Sequence, residues 1–439
     1  MNITYRLYRL ITEVLFFILL PAIILLRAVS PKRFEGISQR LGAYPANVYN
    51  GLSSKRLKIW MHASSVGEAG AAVSIVNSLM SSHPEAVIIF STATRYGKDI
   101  IEKQMDHSLC RCIFAPIDFV HVIRKALFLF KPDIVVFFET EIWPNWLYEA
   151  SQQGVKTVMV NGRISVRSIN RYKKIRHLTR TVLSTMAAFS MISEEDADRI
   201  CQIGAPREKV KVNGNAKYDP LITRAVPEVK EKMLALFNLT PDDRVFIAGS
   251  TRTSEEEAVL EAYEDIREHY PGIKLIIAPR HVERAPVVES LITDRGISCQ
   301  MRTELDADKK IRNAPVVVIN TIGELKDIYS VATVVFCGGS LVPKGGHNVF
   351  EAGIWGKPVL FGPSMEDFLD AGRLLLTAGG GLEVRNSREM ADAIIALLNC
   401  PEKLKNMGDA ARRSILSNMG SAEKHAGVIK AVLDSRSRI

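Results

Sequence analysis

Cysteine is scarce: the 439-residue chain has six, scattered, with one Cys110-x-Cys112 pair and no second pair to complete a zinc site. That excludes a disulfide framework and points to a reducing compartment. The nine histidines never adopt His-Glu-x-x-His spacing, so no catalytic metal is expected. No internal repeat, low-complexity tract, dinucleotide fingerprint or P-loop is present. No apolar run reaches the ~20 residues of a full membrane span. Acid is missing altogether from Ala150–Ser193, which carries eight Lys and Arg residues: Lys156, Arg163, Arg167, Arg171, Lys173, Lys174, Arg176 and Arg180.

What is present is a globular composition, 47% hydrophobic and 24% charged, on a chain long enough for two domains and an appendage. Charge is uneven. Residues 1–220 hold 29 Lys and Arg against 18 Asp and Glu, while the remainder holds 28 against 30. A basic run alone reads as a solvated helix face, but a bias shared by the whole first half favours an anionic partner or surface. Nucleic acid is excluded as that partner, because the aromatics do not interleave with the basic residues and no recognition motif accompanies them. No obligatory protein partner is expected.

Near the N-terminus, Val14–Leu26 is continuously apolar, flanked by Arg6, Arg9, Arg27, Lys32, Arg33 and Arg40. It is marginal for crossing a bilayer and suited to lying in one leaflet. A signal peptide and a buried domain helix are the rival readings; the basic flanks and the absence of a small-residue cleavage site favour a retained anchor. Residues 1–30 are therefore read as anchor, 31–218 as a first α/β domain and 219–439 as a second, whose last helix packs back on the first.

From residue 57 short β-rich runs alternate with helical patterns. Strands are expected at Leu57–His62, Ala86–Ser91, Asp133–Phe138, Thr157–Val160 and Phe189–Ile192, then at Val245–Ala248, Lys274–Ala278, Val316–Ile319, Val334–Cys337 and Pro358–Phe361. Such alternation means parallel sheets covered on both faces, here two Rossmann-like domains facing a central cleft, with ligands at the strands' C-terminal ends. Most chemically useful residues fall at those ends. Ser64-Ser65-Val66-Gly67-Glu68 follows the first strand; Glu68 can close a capping box with Ser65 or take a proton from a sugar hydroxyl. Glu139-Thr140-Glu141 ends another strand, its two carboxylates sharing a face if the chain stays extended. Lys217 precedes the linker and is positioned to reach across the cleft.

In the second half, Gly249-Ser250-Thr251 and Pro279-Arg280-His281 end strands, with Arg280 suited to clamping a phosphate. Ile322-Gly323-Glu324 ends a third. A four-glycine loop, Gly338 to Glu351, ends a fourth and leads into a helical pattern over Val349–Trp355, with Asn348 as its N-cap and Glu351 able to close the cap or reach a sugar hydroxyl. Glycine permits close backbone approach, so this loop and helix start read as an anion site. Asp196-Ala-Asp198 and Asp306-Ala-Asp308 mimic a metal clamp but lie in polar, helical or loop surroundings.

The motifs His62-Ala-Ser-Ser-Val-Gly-Glu68, Glu139-Thr-Glu-Ile-Trp-Pro-Asn145, Asn161-Gly-Arg-Ile-Ser-Val-Arg-Ser168, Gly214-Asn-Ala-Lys-Tyr-Asp219, Ala278-Pro-Arg-His-Val-Glu-Arg284, Thr321-Ile-Gly-Glu-Leu325 and Gly338-Gly-Ser-Leu-Val-Pro-Lys-Gly-Gly-His-Asn348 occur in this order. In that order the chain resembles the 3-deoxy-D-manno-octulosonic acid (Kdo) transferases. The resemblance implies a GT-B fold and metal-free, cofactor-free, inverting transfer of Kdo from CMP-Kdo to the lipid A precursor at the cytoplasmic face of the bacterial inner membrane, in lipopolysaccharide synthesis. It implies Glu68 as general base and Glu139 and Lys217 as transition-state stabilisers. It assigns the CMP site to Pro279, Arg280, Ile322, Gly323, Glu324, Asn348, Val349, Phe350 and Glu351. The chain departs from the family's usual residues at Arg252 (often His), Val349-Phe350 (often Pro-Leu) and Ser364 (usually His). Two other readings stay open: a membrane-associated transferase using a UDP-sugar, and a noncatalytic adaptor for anionic lipid.

Overall fold

The structure, a computed structural model, describes residues 3–29, 36–50, 52, 56–64, 66–105, 109–219, 221, 225–305 and 311–435. Asp306 and Asp308, Lys32 and Arg33 lie outside them. The chain divides into two compact units, one of residues 1–220 with 419–439 and one of residues 221–418.

In the first unit seven parallel strands, β1 (Lys58–His62), β2 (Val87–Thr92), β3 (Cys110–Phe114), β4 (Ile134–Phe138), β5 (Lys156–Gly162), β6 (Ala188–Met191) and β7 (Val210–Val212), form a sheet of order β3-β2-β1-β4-β5-β6-β7. Every residue of β1, β2 and β4 is buried, as expected of strands covered by helices on both faces. The apolar run in each sequence segment is the consequence. On one face Trp60, Phe130, Phe137 and Trp146 interlock edge to face, Trp60 lying 5.0 Å from Trp146 and 5.2 Å from Phe130. Each such ring contributes about 1.5–3 kcal/mol by burial. On the other face helix Val66–Ser82 and the C-terminal helix Ser421–Asp434 meet through Ala71, Ala72, Ala422 and Ala426.

The second unit repeats the plan: β8 (Val245–Thr251), β9 (Lys274–Pro279), β10 (Cys299–Met301), β11 (Val316–Val318), β12 (Val334–Cys337), β13 (Val359–Phe361) and β14 (Gly381–Glu383), in the order β10-β11-β9-β8-β12-β13-β14, all parallel. In each sheet the chain starts at the centre, winds outward and returns, leaving a topological switch point between β1 and β4 and between β8 and β12. Ligands bind beyond strand ends at such points.

The N-terminal segment folds as a helix, Ile3–Val29. One stripe of it docks on the first unit: the Tyr5 ring stacks on Tyr148 at 4.0 Å, the Tyr8 hydroxyl donates to Asp118 at 3.0 Å, and Asn145 donates its side-chain amide to Thr12 at 3.2 Å. Asp118 in turn accepts from the Asn145 and Trp146 amides and caps helix Pro144–Gln152. The expectation of a purely anchoring segment is therefore corrected. Among the described residues no helix is long and apolar enough to cross a membrane, and Arg6, Arg9 and Glu13 interrupt the first half of this one. Asp196 and Asp198 lie on helix Glu194–Gln202, where Asp196 accepts from the Ile164 amide and pairs with Arg199.

Candidate active site

In the first unit the site residues gather at the ends of β1 and β4, the switch-point strands. Glu68 sits in the first turn of helix Val66–Ser82 and is buried. Its Oε2 accepts the Ser64 amide at 2.9 Å, a variant of the expected capping bond; Ser65, the other half of the box, lies outside the described residues. The Ser64 hydroxyl donates to Glu141, which also accepts from Trp143 Nε1 at 2.5 Å and stands 3.6 Å from His62 Nε2. Burial pushes the Glu141 carboxyl up, but His62 and the Ser64 and Trp143 donors outweigh it and leave it below the ordinary carboxylate range.

Glu139 points elsewhere. Its backbone is left-handed, with φ 57°, as the chain leaves β4, a conformation costly for a non-glycine residue and characteristic of functional turns. The extended geometry that would put Glu139 and Glu141 on one face therefore does not hold. Glu139 instead forms an ion pair with Lys217 of its own unit, while Glu141 turns toward Ser64 and His62.

Lys217 is held by a loop tied down on three sides. Its neighbour Ala216 donates its amide to the Asn161 side chain at 2.8 Å, and the Gly214 carbonyl accepts from His425 Nε2 at 3.0 Å. His425, on the C-terminal helix, accepts at Nδ1 from the Ser190 hydroxyl at 2.6 Å. Asp219 accepts from the Ala422 amide at 2.6 Å and caps the same helix. Burial first, then the Lys424 charge, holds the His425 imidazole down to about 4 despite its bond to Gly214. The unfolded chain protonates this histidine near its ordinary value of ~6.5, so its contribution to stability is complete above that pH and disappears as pH falls toward 4. His425 should contribute a loss of roughly 3 kcal/mol across that window, read as the difference between wild type and variant in thermal unfolding. His425→Gln, less stable at neutral pH, should show a flatter dependence; an unchanged slope would remove His425 as its source.

In the second unit the ends of β8, β9 and β11 surround a cavity of about 310 Å³ lined by Ser250, Pro279, Arg280, His281, Ile322 and Gly323. Ser250 is left-handed at φ 56°, and Ile322 is 85% exposed at the rim. The Glu324 carboxylate is engaged by Arg302 at 2.8 Å and by the Thr321 hydroxyl. Arg252, at the end of β8, donates to His281 Nε2 at 2.7 Å.

The glycine loop is built differently from expectation. The amides of Gly339, Ser340 and Leu341 all donate to the wholly buried Glu255, at 2.6, 2.9 and 2.9 Å, and the Arg252 amide joins them at 2.9 Å. These donors are thus filled by the protein's own carboxylate. The helix expected over Val349–Trp355 is only Phe350–Gly353, too short to present a macrodipole. Its first residue's amide is bonded to Asn348 Oδ1 at 3.1 Å, while Val349 itself is the cap. Val349 and Phe350 are core side chains, 0% and 2% exposed, so only their backbone is available to a ligand. Asn348 and Glu351 remain half-exposed.

Sequence reasoning missed Glu255, His425, Asn161 and Arg302. Glu255 begins a run of three glutamates that reads as ordinary helix-dipole compensation, and the others act across 22 to 264 positions. Among the described residues no group of three His, Cys, Asp or Glu could hold a metal ion.

Solved structures share this architecture. A UDP-GlcNAc 2-epimerase from Neisseria meningitidis matches 86% of the chain and 100% of its own length with a TM-score of 0.62 at 14% identity. A glycosyltransferase from Rickettsia africae matches 86% and 97% with a TM-score of 0.56 at 14% identity. The fold class is thus GT-B-like, two parallel-sheet α/β units in one chain. Residues 35–220 match the family model described as 3-deoxy-D-manno-octulosonic-acid transferase (kdotransferase). A 3-deoxy-D-manno-octulosonic acid transferase of Haemophilus influenzae is 30% identical over 93% of this chain and 94% of its own. A bifunctional glycosyltransferase/methyltransferase of Fusobacterium nucleatum is 33% identical over 78% of this chain, which spans about half (52%) of that protein. The chain belongs to the Kdo transferase family and is a glycosyltransferase.

Proposed function

We propose that this glycosyltransferase moves Kdo from CMP-Kdo to a hydroxyl of the lipid A precursor, with inversion, in lipopolysaccharide core synthesis. The observation that carries the reading is the convergence at the switch point of the first sheet, where the Glu68 carboxylate follows β1 and the Glu139–Lys217 pair closes β4. Glu68 takes the proton of the acceptor hydroxyl as its oxygen attacks the anomeric carbon. The bond from that carbon to the CMP phosphate oxygen breaks, and CMP leaves. The Lys217 ammonium and Glu139 are preorganised charges for the oxocarbenium-like centre and the departing phosphate. Arg280, with the backbone at Ile322–Glu324 and Asn348–Glu351, holds CMP. No step is assigned to a metal ion or cofactor.

The acceptor reading draws support from the basic first half and from the N-terminal helix. Opposite its docked stripe, that helix exposes Ile3, Leu7, Leu10, Ile11, Val14, Phe17 and Ile18. An apolar face beside arginines suits an interfacial position on an anionic leaflet, here the cytoplasmic face of the inner membrane. Mass spectrometry of the lipid after incubation with CMP-Kdo and a tetra-acylated lipid A precursor tests donor and acceptor together. The expected product carries added Kdo and its formation is inhibited by CMP but not by UDP. A folded protein that gives no product, or that UDP inhibits better than CMP, overturns the reading.

A further inference from the structure

Three adjacent central strands of the second sheet, β9, β8 and β12, end in basic residues. Arg280 and His281 follow β9, Arg252 follows β8, and His347 lies in the loop after β12, its ring against Gly339. Neither Arg252 nor Arg280 has an acidic partner among the described residues. Arg252 Nε and His347 Nε2 are buried from solvent and have no hydrogen-bond partner. His347 is held down to about 4, by burial first and then by the charges of Arg280 and Arg252. Two guanidiniums at neighbouring strand ends, neither with an acidic partner among the described residues, leave positive charge there for an anionic ligand to offset.

The two arginines are not equivalent. Arg280 lines the 310 Å³ cavity with Ser250, Pro279 and Ile322, whereas Arg252 stands outside it. Arginine donates only, so the 2.7 Å contact makes His281 Nε2 the acceptor and fixes the guanidinium plane. A planar, pre-aimed fork matches a carboxylate bidentately. The donor in the reading above carries two anions on one carbon: the phosphoryl oxygen of CMP and the acid carboxylate of the sugar are both attached to the anomeric centre. One cation is needed for each.

We infer that Arg252, oriented by His281, binds the carboxylate of the donor sugar, while Arg280 serves the phosphate. Arg252 is thereby a specificity-determining residue: a nucleotide-linked neutral sugar leaves its guanidinium without a partner, which discriminates against that donor. This assignment rests on the proposed CMP-Kdo reading.

Steady-state kinetics and calorimetry on the full-length Arg252→Gln protein, its melting temperature checked against wild type, separate the two. KM for CMP-Kdo should rise about tenfold to hundredfold, the worth of a charge-assisted hydrogen bond, while the Kd for CMP stays within about twofold of wild type. Arg280→Gln should weaken CMP and CMP-Kdo alike. Equal weakening of CMP and CMP-Kdo by Arg252→Gln would make Arg252 a phosphate ligand and overturn the inference, as would an unchanged KM. Failure of the wild type itself to prefer CMP over UDP would instead overturn the donor reading beneath it.

Discussion

Replacing Glu68 with alanine should lower the rate of sugar transfer about 10²–10⁴-fold, the usual cost of removing a general base. The melting temperature should stay within a few degrees, because the capping bond to the Ser64 amide is worth about 1 kcal/mol. Glu68→Gln sharpens the test. It retains an oxygen acceptor for Ser64 and the volume of the side chain but cannot take a proton. If Glu68 only ties off its helix, the glutamine variant keeps near-normal activity and the base must be sought elsewhere. If it is the base, both variants lose activity to a similar extent. Measured in single turnover, the loss should fall on the chemical step, with donor affinity little changed, since Glu68 belongs to the first unit and the donor is assigned to the second.

The largest effect on stability should come from Glu255→Ala. This carboxylate is fully buried and accepts four backbone amides from two loops, Arg252 on one and Gly339, Ser340 and Leu341 on the other. Truncation strands those donors, each at about 1–3 kcal/mol when buried without a partner; relaxation of the loops recovers part of this, so a net loss near 3–5 kcal/mol is expected. CMP binding should fall with it, because the loop that Glu255 holds through Gly339, Ser340 and Leu341 leads into the Asn348–Glu351 backbone assigned to CMP. Denaturant unfolding combined with CMP titration checks both. A variant within about 1 kcal/mol of wild type would mean that water replaces the carboxylate and that the loops keep their shape without it.

The ten strands read from the sequence all form, and the four that escaped notice are β3, β7, β10 and β14. These are the four sheet edges. Interior strands of a parallel sheet are covered above, below and on both sides, so selection for burial writes an unbroken apolar run. Edge strands such as Val-Lys-Val at β7 or Cys-Gln-Met at β10 are short and only partly buried, and three residues carry no period to detect. The same logic applies to the candidate site. Glu68, Glu139, Lys217 and Arg280 were visible because they stand at the ends of recognisable strands or motifs. Glu255 and His425 were invisible because each looks like an ordinary helix residue until the fold brings its partners to it.

By itself the amino-acid sequence determined the two α/β units, the central strands and the positions in the chain where chemistry gathers, since apolar period and glycine or proline punctuation are local properties of a chain. Only the tertiary structure decided that Glu139 and Glu141 part company, that the glycine loop is closed by Glu255, that the N-terminal helix is docked along one stripe, and that Arg252 stands beside His281. Those outcomes depend on left-handed turns and on contacts between residues tens to hundreds of positions apart. No local pattern encodes which partner a buried polar group will meet.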